Sequence, residues 1–150
     1  GALDQQGDID LPLCRELVSA AGPLGITFHR AFDAARDLPA ALEQIVTLGC
    51  QRILSSGGQA SALAGADVLA ALVAQAGDRI ALMAGAGITA ANVMEVAERS
   101  GCIELHASAK TTQSSAMHHH NPALTGLSPD WTVTDAAQVS ALRAALNNCE

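Results

Sequence analysis

The strongest constraint in this sequence is a fourfold alternation of short β-rich runs with helical segments, preceded by an opening helix over residues 10–22. The predicted strands are residues 25–32, 52–56, 79–84 and 103–108, and the predicted helices after them are residues 37–49, 61–75, 89–99 and a last one from 134 or 135. Residues 110–130 are predicted as a polar loop. Short strands, short loops and helices of about three turns are typical of parallel βα units, so the pattern predicts an α/β fold.

Two architectures contain such units: an open doubly wound sheet and a (β/α)8 barrel. The side chains of Thr27 and His29 share one face of the first predicted strand, and those of Glu104, His106 and Ser108 share one face of the fourth. A parallel sheet covered by helices on both sides is apolar on both faces, whereas a barrel interior opens onto a site at the carboxyl ends of its strands. The polar faces therefore favour the barrel.

The length of 150 residues limits how much of a barrel this chain can form. A complete barrel needs about 200 residues or more, so four βα units predict roughly half of one.

Hydrophobic residues make up 49% of the chain and aromatic residues only 2%, which predicts an aliphatic core. No apolar run approaches about 18 residues, so we expect no membrane span. The net charge of −7, with 8 Lys and Arg residues, argues against a nucleic-acid partner.

Four cysteines are spread along the chain, at Cys14, Cys50, Cys102 and Cys149. None forms a Cys-x-x-Cys pair, and each lies in or beside a predicted helix or strand. The chain is not the small, loop-rich type that disulfides usually hold together. We therefore expect reduced, buried thiols, with a thiolate metal site as the alternative.

The residues best suited to catalysis lie at the ends of the first and fourth predicted strands. His29, Arg30 and Asp33 lie at the end of the first strand and the start of its loop, and Glu104 and His106 point to the same side of the fourth. Glu104 and His106 can do general acid–base work, or the carboxylate can orient the imidazole. Metal ligation would need a third ligand, such as His29, from another strand. The structural alternative is a surface ion pair and a buried hydrogen-bonded pair.

Two glycine-rich turns follow the second and third predicted strands and are candidates for anion binding. Glycine lets a backbone approach a ligand closely, and the amino end of the following helix favours negative charge. The candidate anion-binding residues are Ser55, Ser56, Gly57, Gly58, Gly85, Ala86, Gly87 and Ser108. Such turns also arise from tight geometry alone, and no dinucleotide-binding Gly-x-Gly-x-x-Gly follows a strand here.

The run His118-His119-His120 stands out but is flanked by Ser114, Ser115, Asn121 and Pro122, which favour a loop. Three adjacent residues on a strand cannot all face one metal ion, although a bent loop could present two of them. We interpret the run as a solvated loop.

Taken together, these residues resemble the CutC family, the copper homeostasis protein family. The resemblance is carried by residues 22–24, 27–33, 52–57, 83–88 and 104–108. Its most specific part is the string Phe-His-Arg-Ala-Phe-Asp at residues 28–33. The similarity extends over nearly the whole chain.

The resemblance implies a cytoplasmic (β/α)8 TIM barrel linked to copper tolerance and described as copper-binding. It also implies that residues 1–150 are the C-terminal part of a single barrel domain, with about the last four βα units present and the first four strands missing. We therefore consider three hypotheses. The protein is a copper homeostasis protein with copper as a ligand, an enzyme that acts on a small phosphorylated or anionic substrate, or a non-catalytic scaffold. Because half a barrel leaves sheet edges unpaired, we also expect the chain either to self-associate into a homo-oligomer or to be marginally stable.

Overall fold

The computed structural model describes residues 1–147, so Cys149 lies outside the described residues. Its centre is a parallel sheet with the strands in sequential order, β1-β2-β3-β4. These strands are β1 Thr27–Phe28, β2 Arg52–Ser55, β3 Ala81–Gly85 and β4 Glu104–His106. In the register of the sheet, Ile53 lies opposite both Phe28 and Leu82. The predicted parallel α/β fold is confirmed.

An α-helix comes before β1 and between successive strands of the parallel sheet, and aspartate side chains cap the first two of these helices. The helices are α1 Leu11–Ala21, α2 Leu38–Thr47, α3 Ala66–Ala76, α4 Val93–Ser100 and α5 Ala136–Asn147, and short 3-10 helices cover Arg30–Ala34 and Gly77–Arg79. The Asp10 carboxylate accepts a hydrogen bond from the Leu13 amide, and the Asp37 carboxylate accepts one from the Ala40 amide, each at 3.0 Å. Each aspartate is followed within two residues by a proline in the first turn, a position where the missing N–H costs nothing.

The aliphatic core lies between one face of the sheet and helices α1 to α4. Ile53 and Leu82 point from the sheet into this core, where they meet side chains such as Leu42, Ile45 and Leu69. Successive residues of a strand point to opposite faces, so the neighbours Arg52 and Leu54 lie on the other face and are only half-buried. The sheet therefore has one face covered by helices and one face partly open.

The strand order bears on the choice between the two architectures. A doubly wound sheet reverses its strand order at a switch point, and this sheet has no reversal. Sequential parallel strands with helices on one face are typical of a barrel wall. Four strands do not close a barrel, so the complete (β/α)8 barrel stays a prediction. Within residues 1–147, no helix is long and apolar enough to span a membrane.

Several predicted boundaries are wrong by one or two residues, and the three largest differences each have a local reason. β1 stops at Phe28 because His29 caps the 3-10 helix that begins at Arg30. α3 begins at Ala66 instead of residue 61, since residues 61–65 form turns in which the Ala62 amide donates to the Ala86 carbonyl at 2.9 Å. α4 begins at Val93 instead of after Thr89, because residues 89–92 form a turn closed by Asn92.

The predicted loop over residues 110–130 is only partly correct. Its first residues form β5, Lys110–Gln113, which pairs antiparallel with β6, Trp131–Thr134. The residues between them form no helix or strand, which confirms a loop around His118–His120. α5 follows, with the Asp135 carboxylate accepting from the Ala137 amide at 2.8 Å. Of its predicted apolar positions Val139, Leu142 and Leu146, only Leu142 packs against the core.

Candidate functional site

An open cavity of about 390 Å³ lies at the carboxyl edge of the sheet, where parallel α/β folds place their ligands. Its lining comes from the strand ends, the turn after β3, the segment after β4 and one side of α5. The lining residues are Arg30, Leu54, Ala86, Gly87, Ile88, Thr89, His106, Ala107, Ser108, Ala109, Lys110, Gln138 and Leu142. The predicted site residues Arg30, His106, Ala86, Gly87 and Ser108 thus meet in one place.

Arg30 is held in a fixed orientation at the rim of this cavity. Its Nε donates to the Asp33 carboxylate at 2.7 Å, and its Nη2 donates to the Ser56 hydroxyl at 2.7 Å. A guanidinium carries five N–H donors, so these two bonds leave donors for a ligand. Arg30 therefore presents a charge whose position is set by the protein.

The Asp33 carboxylate lies in the first glycine-rich turn, residues 55–58, and accepts hydrogen bonds from it. Oδ1 accepts from the Ser55 hydroxyl at 2.6 Å and from the amides of Ser56 and Gly58 at 3.0 Å each. Burial by itself raises the pKa of Asp33, but the hydrogen bonds from Ser55, Arg30, Gly58 and Ser56 outweigh it and hold the pKa below its ordinary value. Asp33 is thus an internal anion that orders the turn and Arg30.

The glycines of this first turn have a packing role. A Cβ built on Gly57 would lie 2.5 Å from the Gly65 carbonyl oxygen, and Gly57 has a φ of +68°. A Cβ on Gly65 would in turn lie 1.9 Å from the Ser56 carbonyl oxygen. The predicted anion-binding residues Ser55, Ser56, Gly57 and Gly58 therefore hold Asp33 and a close backbone contact, and they do not line the cavity.

The turn after β3 is different, because it opens onto the cavity. Gly85 ends the strand, and Ala86 and Gly87 line the cavity with positive φ values of 86° and 69°. Across the cavity, Ala109 is the other described non-glycine residue with a positive φ, at 45°. Non-glycine residues in this conformation are strained and tend to cluster at functional sites.

The end of β4 and the segment after it supply three more polar groups. His106, Ser108 and Lys110 follow one another at alternate positions, and all three line the cavity. Lys110 is the single lysine of the sequence and makes no ion pair with any described residue. The sequence predictions missed it, although a lone lysine two residues after a predicted site serine is a usable signal.

Two of the predicted catalytic residues have other partners. Glu104 accepts hydrogen bonds from Nε and Nη2 of Arg52, and these bonds lower the pKa of Glu104. The expected pairing of Glu104 with His106 is therefore not observed. The His29 Nδ1 accepts from the Ala31 amide at 3.0 Å and caps the 3-10 helix, and His29 does not line the cavity.

The thiols are free and buried at the three described positions, as predicted. Cys14 and Cys50 line one small apolar cavity of about 90 Å³ beside α1. Burial and the neighbouring Cys14 raise the pKa of the Cys50 thiol. Burial also raises the pKa of Cys102. Among residues 1–147, no group of three His, Cys, Asp or Glu side chains is arranged to hold a metal ion, the exposed run His118–His120 included.

Sequence comparison places this chain among CutC proteins. The CutC family model matches residues 1–111. A CutC family protein from Xanthomonas campestris pv. campestris strain 8004 is 49% identical over 142 residues, which cover 95% of this chain and 59% of the relative. A CutC family protein from Xylella fastidiosa strain Temecula1 is 46% identical over 142 residues, covering 95% of this chain and 53% of the relative.

The fold comparison agrees with the sequence comparison. The crystal structure of a CutC chain from Streptococcus agalactiae, whose name refers to copper homeostasis, superposes with a TM-score of 0.67 and 32% identity. The match covers 71% of this chain and 52% of that one. The chain therefore spans a little over half the length of these relatives. With a family model matching most of its residues, this chain belongs to the CutC family.

Proposed function

We propose that this chain takes part in copper homeostasis, and that it does so by binding a small anionic molecule at the carboxyl-edge cavity. The observation that carries the binding proposal is the meeting of two cations, Arg30 and Lys110, with Ser108 and His106 around one cavity. A chain with a net charge of −7 repels anions on the whole, so local cations are needed to attract one. The proposal also places these residues in a complete cytoplasmic (β/α)8 barrel, which the sequential strand order supports.

The cavity has the chemistry of an anion-binding site. The Arg30 guanidinium is oriented by Asp33 and Ser56, so little freedom is lost when it meets a ligand. Lys110, which forms no ion pair with any of residues 1–147, adds a point charge, and Ser108 adds a hydroxyl. The His106 imidazole lines the same cavity and could exchange a proton with a bound substrate, as an enzyme would require.

Calorimetric titration of the chain with inorganic phosphate at low ionic strength tests the proposal. We expect binding that weakens with added salt, and a loss of about fivefold or more in affinity for Arg30→Gln and for Lys110→Gln, since one charge-assisted hydrogen bond is worth over 1 kcal/mol. The matched control is Arg143→Gln, a cation of α5 outside the cavity, which should leave affinity unchanged. Equal losses of phosphate affinity in all three variants would show that only the net charge of the chain matters, and would refute the site.

Direct copper binding is a second candidate, favoured by one observation. Cys14 and Cys50 line the same small cavity, and soft thiolate ligands select Cu(I). Their burial opposes the deprotonation that a metal ligand needs, because it disfavours the thiolate. We therefore rank this candidate below the anion site, with copper as the substrate that the pair would carry.

A further inference from the structure

The segment beyond the family match supplies one wall of the carboxyl-edge cavity. The family model ends at residue 111, yet Gln138 and Leu142 of α5 line the cavity together with Arg30 and Lys110. α5 therefore adds a wall to the cavity that the four strand ends do not supply.

α5 is held in place by the same backbone that forms the cavity. The Asp135 amide donates to the Ala109 carbonyl at 2.9 Å, and the Thr134 hydroxyl donates to the Ser108 carbonyl at 3.4 Å. Leu142 and Ala145 then pack against the core. The position of Gln138 is thus tied directly to the residues that would hold the anion.

The cavity lining combines two kinds of polar group. Arg30 and Lys110 are cations and Ser108 offers a hydroxyl, whereas Gln138 on α5 is uncharged and offers an amide donor and an acceptor. No described residue hydrogen-bonds the Gln138 side chain, so both groups are available. Apolar walls from Leu54 and Leu142 lie beside them.

The size of the cavity separates a bare anion from a larger ligand. A volume of about 390 Å³ falls in the range of small-molecule sites, about 300 to 1,000 Å³, and far exceeds the roughly 30 Å³ that one water takes up in the liquid. Inorganic phosphate would therefore leave most of the cavity to solvent. A carbon skeleton attached to the phosphate would occupy part of that space, which Gln138 and Leu142 also line.

We propose that the ligand is a phosphate monoester of a small hydroxylated molecule, and that Gln138 determines specificity by hydrogen-bonding a hydroxyl group of its carbon skeleton. The inference rests on the proposed anion site and names the class of its ligand. The phosphate group meets Arg30, Lys110 and Ser108, and Leu142 contacts the carbon atoms.

The test is calorimetric titration of the full chain with three probes: inorganic phosphate, glycerol 3-phosphate and ribose 5-phosphate. We expect at least one ester to bind tenfold or more tightly than inorganic phosphate. Gln138→Ala should weaken that ester about fivefold, the worth of one neutral hydrogen bond, and leave inorganic phosphate unchanged. The matched control Ser140→Ala, on the same helix and outside the cavity, should change neither affinity.

The outcomes separate the two proposals. If inorganic phosphate binds but neither ester binds more tightly, or if Gln138→Ala weakens phosphate and ester equally, the specificity role of Gln138 is refuted and the anion site stands. If none of the three probes binds, the anion site itself is refuted, and the ligand class falls with it.

Discussion

Replacing Asp33 by asparagine tests whether an internal carboxylate holds the first turn and Arg30 together. The amide carbonyl of the variant would keep the position of Oδ1 and its bonds from Ser55, Ser56 and Gly58. The new NH₂ group would take the place of Oδ2, where it would face the Arg30 Nε, now 2.7 Å away, with a donor against a donor. A hydrogen bond to a charged group is worth about 1.5–3 kcal/mol, and the partial exposure of Arg30 reduces this, so we expect a loss of about 2 kcal/mol.

Urea unfolding followed by circular dichroism measures this loss as a shift in the midpoint of about 1 M, given usual slopes. The matched control is Asp67→Asn, which breaks an exposed ion pair with Arg99 at 3.1 Å and should cost under about 0.5 kcal/mol.

The pKa of Asp33 is lower in the folded chain than in the unfolded one. The stability that its carboxylate adds is therefore fully present above about pH 4 and is lost as the pH falls through the pKa of the folded chain. The difference between wild type and Asp33→Asn should therefore shrink below about pH 4. Equal losses for Asp33→Asn and Asp67→Asn at neutral pH would refute the internal-anion role.

Two further predictions concern the turn glycine and the thiol pair. Gly57→Ala should destabilise the chain by at least about 1 kcal/mol more than Gly22→Ala, because both have positive φ but only the Gly57 Cβ would clash, 2.5 Å from the Gly65 carbonyl. Equal unfolding free energies for the two variants would contradict the close contact. If copper is a direct ligand, competitive Cu(I) titration should show one ion bound, lost in the double variant Cys14→Ser with Cys50→Ser. Binding no tighter than that of the double variant would exclude this pair.

The order of α1 to α4 and of the four parallel strands could be predicted from the sequence because local signals set it, whereas the hairpin of β5 and β6 was not predicted. Aspartates before Leu-Pro at residues 37–39 and 10–12 begin helices by capping them, and the β-rich runs between helices form the parallel strands. Boundaries were less predictable where one residue competes for two roles. His29 continues the strand by pattern, but its imidazole accepts from the Ala31 amide and starts a 3-10 helix instead.

Contacts between distant segments explain what the sequence could not predict. Glu104 and His106 point to the same side by parity, but Arg52 on β2 reaches Glu104 across the sheet and removes it from the site. Asp33 is a catalytic candidate by type, yet its partners Ser55 to Gly58 lie more than twenty residues away. Gln138 carries no motif at all, and only the packing of α5 brings it to the cavity.

The distribution of cations reconciles an acidic chain with a site for anions. Four arginines form ion pairs with carboxylates away from the cavity, namely Arg36, Arg52, Arg79 and Arg99. Arg30 at the cavity is also paired, so Asp33 offsets much of its charge while fixing its geometry. Lys110 has no carboxylate partner among residues 1–147 and supplies the uncompensated charge. Lys110→Gln should therefore reduce the salt dependence of phosphate binding more than Arg30→Gln does. The loss of phosphate affinity in Arg30→Gln should persist at high salt, because that variant lacks oriented hydrogen bonds, which salt screens less.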